Sequence, residues 1–138
     1  MRRAIALFFD YGFPESEYYH PQRTGGTLMC HRGHRADPDP LADLGAKDIT
    51  AHLDFSALAL AGQDAGLAVA GYTSQARFLL NAGIAELLAT APLRERVDAQ
   101  KLVHEHEMGE LFKAIAFSRG VGEVALLGFA EGDRRHRL

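Results

Sequence analysis

The sequence predicts an α/β domain, and three observations carry that prediction. Apolar runs without alternation recur at Ala4–Phe9, Leu67–Tyr72 and Phe112–Phe117, the pattern of strands covered on both faces. Helical spacing lies between them, most clearly at Ile84, Leu87, Leu88 and Ala91, which fall at i, i+3, i+4 and i+7. The resulting order of strand, helix, strand, helices, strand is that of layered α/β folds. With 138 residues the chain fits one domain and can bury a real core.

Each element has a local reason. The first run ends at Asp10-Tyr11-Gly12, where glycine permits a sharp exit. Residues 13–47 read as a long polar loop holding all but one of the five prolines, and loops of that length are usually functional or disordered. The stretch from Asp48 to Phe55 alternates Ile49, Ala51, Leu53 and Phe55 and begins extended. Asp54 is a good N-cap for a helix over Phe55–Ala65, with Gly66 as its stop. Leu67–Tyr72 is a second buried strand, and Thr73 or Ser74 caps the helix that follows. Gly83 interrupts that helix. Pro92 suits the start of a surface helix through Val103. Phe112–Phe117 is a third strand, and Glu123–Phe129 reads as a short fourth strand or a hairpin return. The charged ending, 131–138, reads as a frayed tail.

Composition excludes several function classes. Hydrophobic residues are 47% and charged residues 24%, ordinary for a globular protein, and the net charge of -3 draws the chain to neither nucleic acid nor membrane. No apolar run reaches the roughly 18 residues that span a bilayer. The arginines and short apolar run near Met1 echo a signal peptide weakly. The run stops at Asp10 with no small-residue cleavage site, so it reads as a strand. A single cysteine makes no internal disulfide, which suits the cytoplasm.

The stretch from Tyr18 to Arg35 concentrates Tyr, His and Arg, the only cysteine and a Gly-Gly pair. Its Cys30, His31, His34 and His20, with His52, lack the paired spacing of zinc sites, and His104 and His106 at i, i+2 do not share a helix face. No metal site is assigned. Gly25-Gly26 has no helix start behind it, so it makes a poor phosphate cradle. Cys30 lacks an orienting partner for nucleophilic work and reads as a buried cysteine. Asp10, at the carboxyl end of a buried strand, is either a ligand contact or a cap on a turn. Asp48, Thr50, His52 and Asp54 alternate along one extended stretch and would share one polar face. Gln75 starts a helix at the same kind of edge as Asp10. Arg23, Arg32, Arg35 and the cluster Arg134, Arg135, Arg137 lack interleaved aromatics, which argues against a nucleic-acid groove.

Taken in order, "DYG", "GGTLMCH", "DITAHLDF", "YTSQARFLL" and "MGELFK" resemble the C-terminal half of the MidA-like family. These are class I S-adenosylmethionine-dependent methyltransferases, and they include the mitochondrial complex I assembly factor that methylates an arginine of a complex I subunit. The resemblance runs from Ala4 to Phe117. It implies the C-terminal portion of a Rossmann-like fold, a mixed sheet with flanking helices, with Ala4–Phe9 as the fifth strand and one of the last two strands antiparallel. Gly33 and Leu44 depart from the family pattern and bear on loop shape.

The family's glycine-rich cofactor loop and acidic ribose-binding residue precede the part matched. The resemblance therefore implies that residues 1–130 are a partial methyltransferase domain and that cofactor-binding residues are unknown in this chain. It also implies an exposed sheet edge open to homodimerisation, and a chain inactive alone. The implied cofactor is S-adenosylmethionine. The implied partner is a protein substrate such as a respiratory complex I subunit, with no nucleic acid and no membrane span. The implied acceptor-side residues are Asp10, Asp48, His52 and Asp54 for catalysis. Tyr11, Arg23, His34, Thr50 and Gln75 are implied for substrate binding. A competing reading makes the His/Cys loop 18–35 a small metal- or partner-binding module.

Overall fold

A computed structural model describes residues 3–33 and 35–138. Its main sheet has the strand order β5-β1-β7-β6, built from β1 (Ala4–Phe13), β5 (Leu53–Asp54), β6 (Ala68–Ser74) and β7 (Phe112–Arg119). β7 runs antiparallel to both β1 and β6, so those two are parallel to each other. β5 pairs parallel with β1 only at Gly12 and Phe13. The fold is a mixed sheet with helices on both faces, as the family resemblance implies, and β7 is the antiparallel strand.

Alternation along β7 divides the core. Ile115 and Phe117 face Tyr72 and pack under Phe55 and Ala59 of α2 (Phe55–Asp64). Ala114 and Ala116 point the other way, toward Phe129, with Phe78 of α3 (Gln75–Asn81) beside it. Small side chains on that second face let the two phenyl rings meet edge to face at 5.2 Å. Gly62 of α2 lies against Phe117, where a β-carbon would come within 2.3 Å of the ring.

The capping predictions hold. Asp54 accepts from the Ala57 amide at 3.0 Å, and Ser74 from the Arg77 amide at 3.4 Å. Gly66 leaves α2 in the left-handed region at φ 77°. Gly83, at φ 90°, separates α3 from a short helix, Ile84–Ala89. The surface helix is Leu93–Val103 and buries no residue.

Four expectations need correction. β1 is not buried on both faces: Ile5, Leu7, Phe8 and Phe9 are 48, 44, 49 and 41% exposed. It also continues to Phe13, which makes Asp10 a mid-strand residue opposite Lys113 rather than a strand end. The 13–47 segment is not structureless. It contains a four-residue helix, α1 (Glu15–Tyr18), and the strands β2 (Met29–Arg32) and β3 (Arg35–Asp37), which join β4 (Asp48–Thr50) in a separate three-stranded sheet. Glu123–Phe129 forms no strand; it ends in a 3₁₀ turn at Leu127–Phe129.

The charged tail is docked rather than frayed. Thr73 donates to the Gly132 carbonyl at 2.7 Å, the Tyr72 amide to Asp133 at 3.3 Å, and the Arg134 amide to the Tyr72 carbonyl at 2.6 Å. The tail thus satisfies the outer edge of β6. No helix among the described residues is long and apolar enough to cross a membrane.

Where β1 meets β5 the backbones touch, and a β-carbon on Gly12 would lie 2.1 Å from the Leu53 carbonyl oxygen. Backbone cannot step aside as a flexible side chain can. Gly12→Ala should therefore cost about 2 kcal/mol by overpacking. In a thermal melt this reads as a fall in Tm of roughly 5–10 °C.

Candidate functional site

β1 and β6 both end, and β7 begins, at the same side of the sheet. The segments that leave Phe13 and Ser74 and the one that enters Phe112 therefore converge there. In open α/β sheets this carboxyl edge is where ligands bind.

One part of the edge is aromatic. His52 stacks on Phe13 with ring centres 4.9 Å apart, and Tyr11 meets it edge-on at 5.3 Å. Phe112 adds a second edge contact to Tyr11 at 5.5 Å. The Arg23 guanidinium lies 3.7 Å from the Phe13 ring centre, a cation–π contact. The Thr27 hydroxyl accepts from the His52 amide at 3.1 Å. His52 Nδ1 is buried without a hydrogen-bond partner. Burial, followed by repulsion from Arg23, holds the imidazole below its ordinary range, so His52 is neutral near pH 7. A neutral imidazole with an unpaired nitrogen can take up a proton or a hydrogen bond.

The other part is ionic. The Lys113 side chain is only 7% exposed although it sits in the central strand. Its Nζ lies 3.3 Å from the Glu110 carboxylate and also donates to the Glu110 carbonyl. Arg134 reaches in from the tail and forks onto the same carboxylate at 2.6 and 3.3 Å. Burial alone would raise the pKa of Glu110; the Arg134 hydrogen bonds and the Lys113 charge outweigh it and hold the carboxyl below its usual range. Burial holds Lys113 below the usual lysine range despite Glu110. Nearby, Arg137 donates to Glu17 of α1. The Tyr72 hydroxyl is buried and unpartnered, and burial pushes its pKa up. A cleft of about 310 Å³ opens beside this group, lined by Phe13, Glu17, Glu105, Glu107, Glu110 and Lys113. Two larger clefts, of about 590 and 670 Å³, lie around Ala68 and Val69 at the amino end of β6, away from this edge.

Of the residues nominated by sequence, the fold brings together Tyr11, Arg23 and His52. Asp10 is exposed and accepts from the Tyr11 amide at 2.8 Å. Asp48, Thr50, His52 and Asp54 do not share one face, because β4 and β5 belong to different sheets. Asp48 is exposed on β4, Thr50 donates to the Met29 carbonyl, and Asp54 caps α2. Gln75 is buried and donates to the Leu102 carbonyl at 2.9 Å. His34 lies outside the described residues. Cys30 is fully buried. Among the described residues no three His, Cys, Asp or Glu side chains gather as a metal-binding group.

Glu17, Glu110, Lys113, Tyr72 and Arg134 were not nominated. A lysine at the start of a buried strand, three residues after a glutamate, is the signal that could have found two of them.

The pH response of the fold should report both parts of the edge. His52 has a folded pKa below the ordinary imidazole value of 6.5, so its stabilisation is present above that value and is lost as pH falls through the folded pKa. Glu110 behaves alike below 4.5. Urea midpoints should therefore fall in two stages on acidification. His52→Leu should remove the upper stage. Glu110→Gln should remove the lower one and weaken the fold at neutral pH, since it leaves buried Lys113 without its carboxylate.

Residues 1–73, just over half of the chain, match a family described as "Putative S-adenosyl-L-methionine-dependent methyltransferase". A comparison with curated proteins finds no match. Among solved structures, an uncharacterised superfamily protein from Burkholderia thailandensis superposes with a TM-score of 0.93 at 57% identity, over 99% of this chain and 38% of that one. A second crystal structure is of a member of the same superfamily from that organism, described as a "likely methyl transferase" and bound to S-adenosyl-homocysteine. It gives a TM-score of 0.92 at 57% identity, over 97% of this chain and 36% of that one. The chain thus spans well under half the length of either protein. On the family match, reinforced by close structural likeness across nearly all of its residues, the chain belongs to this S-adenosyl-L-methionine-dependent methyltransferase family.

Proposed function

We propose that the chain is the acceptor-side part of a methyltransferase of the MidA-like kind, that it transfers a methyl group to an arginine nitrogen of a protein such as a respiratory complex I subunit, and that it is inactive until the rest of the sheet is supplied. The observation that carries this reading is the open edge of β1. From Ala4 to Tyr11 the strand has β7 on one side and no strand among the described residues on the other, while Ile5, Leu7, Phe8 and Phe9 are exposed. An uncovered apolar edge strand is a template for pairing.

At the helix starts near this edge, Ser56 accepts from the first amide of α1, and Asp54 and Ser74 accept from the third amides of α2 and α3. What this chain's own residues do is hold the acceptor. Tyr11, Phe13 and Phe112 form a wall that excludes water, and Arg23 fixes charge at its rim. Neutral His52 offers its unpaired nitrogen as the proton acceptor for a guanidinium that must lose a proton.

Calorimetric titration with S-adenosylmethionine tests the reading. The chain alone should bind at least about tenfold more weakly than a mixture with the unmatched portion of the Burkholderia protein, and only the mixture should methylate protein arginine. Binding by the chain alone as tight as that of the mixture overturns it, as does an edge closed by self-association that the added portion cannot displace.

A further inference from the structure

We propose that Arg23 and Thr27, on the loop between α1 and β2, are positioning residues for His52: Thr27 fixes its backbone, and Arg23 braces the Phe13 ring on which its imidazole lies. His52 occupies the two-residue link between β4, in the small sheet, and β5, in the main one. Neither ladder includes it, so no strand pairing sets its backbone. Its amide donates instead to the Thr27 hydroxyl at 3.1 Å, a contact between residues 25 apart in sequence. That bond does for His52 what a ladder bond does for Leu53 beside it.

The ring needs its own support. The last torsion of a histidine is broad, so neighbours rather than a rotamer well set its plane. Those neighbours are Phe13, stacked at 4.9 Å with planes 25° apart, and Tyr11, edge-on at 5.3 Å. Phe13 in turn carries the Arg23 guanidinium at 3.7 Å. Two turns hold Arg23 there. Its amide donates to the His20 carbonyl at 2.8 Å, and its carbonyl accepts from the Gly26 amide at 3.1 Å, with Gly26 at φ 72°. The loop thus grips the aromatic pair at two points. The titratable groups that face the imidazole are Tyr11 on β1 and Arg23 on the loop. Asp10 is exposed and bonded to the Tyr11 amide, and Asp54 caps α2. Burial first, and then the Arg23 charge, disfavours the imidazolium, which leaves the buried Nδ1 as an unpaired acceptor.

The catalytic use of this arrangement rests on the acceptor-side reading, but the arrangement itself needs neither donor nor acceptor, so the two can fail separately. Proton NMR of the 138-residue chain reads it, with the His52 ring signals assigned by their loss in His52→Leu. Stacked on Phe13, those signals should lie upfield of an unstacked imidazole. Thr27→Val should move them toward the unstacked position, and Thr27→Ser, which keeps the hydroxyl, should restore them. Arg23→Gln should raise the His52 pKa read from the same signals, whereas Arg23→Lys, which keeps the charge, should hold it low. Arg94→Gln, on the surface helix, should leave both readings unchanged. In the reconstituted mixture Thr27→Val should lower kcat about fivefold or more, with KM within about twofold of the parent. Ring signals unmoved in Thr27→Val overturn the role of Thr27, and an unchanged His52 pKa in Arg23→Gln overturns that of Arg23. Ring signals and pKa that move as expected while kcat stays constant would leave the positioning standing and remove His52 as the proton acceptor.

Discussion

The pairing of β7 between β1 and β6 is the constraint on which the rest depends. Six successive residues of β7, Lys113–Ser118, are buried. Its backbone is hydrogen-bonded on both sides, and its alternating side chains seed both halves of the core. Because β7 is antiparallel to its neighbours, the chain must enter it at the carboxyl edge. That direction delivers Glu105–Leu111 to the place where β1 and β6 end. A parallel β7 would have carried the same residues to the opposite rim, away from Phe13 and His52.

The two edges of this sheet are treated differently. On β6 the returning tail supplies the missing partners, with Gly132, Asp133 and Arg134 each bonding to Tyr72 or Thr73. On β1 the apolar residues stay exposed and the backbone outside β5 faces no strand among the described residues. One edge is finished and the other is open. The open edge borders the aromatic cluster directly, since Tyr11 and Phe13 belong to the same strand as Phe8 and Phe9. Whatever pairs with β1 would therefore also build the second wall beside Tyr11 and His52.

The strands of the main sheet, the caps at Asp54 and Ser74 and the break at Gly83 were legible in the sequence because each is local: an apolar run, a side chain that bonds its own turn, a glycine at positive φ. What escaped was long-range. The unalternating run of β1 is compatible with burial on both faces, and nothing local records that no strand among the described residues pairs with its outer edge beyond β5. Residues 13–47 looked featureless because β2 and β3 are four and three residues long, too short for periodicity to show. The tail looked frayed because its charges are local, whereas their partners Glu17, Val69 and Glu110 lie far away in sequence. The site was half legible for the same reason. Tyr11, Arg23 and His52 were reached through the family resemblance, but Glu110 and Lys113 become meaningful only when Arg134 is brought against them.

That last contact joins the sealing of the sheet to the chemistry of its edge. The Arg134 amide bonds the Tyr72 carbonyl while its guanidinium holds the Glu110 carboxylate, so one residue fastens β6 and sets charge at the cleft. Glu110 in turn compensates Lys113, a charge that the core would not otherwise tolerate. The carboxylates split accordingly into those spent on the fold, Glu17 and Glu110, and those left facing solvent, Glu105 and Glu107. A tail that read as an appendage is thus part of the same electrostatic unit as the central strand.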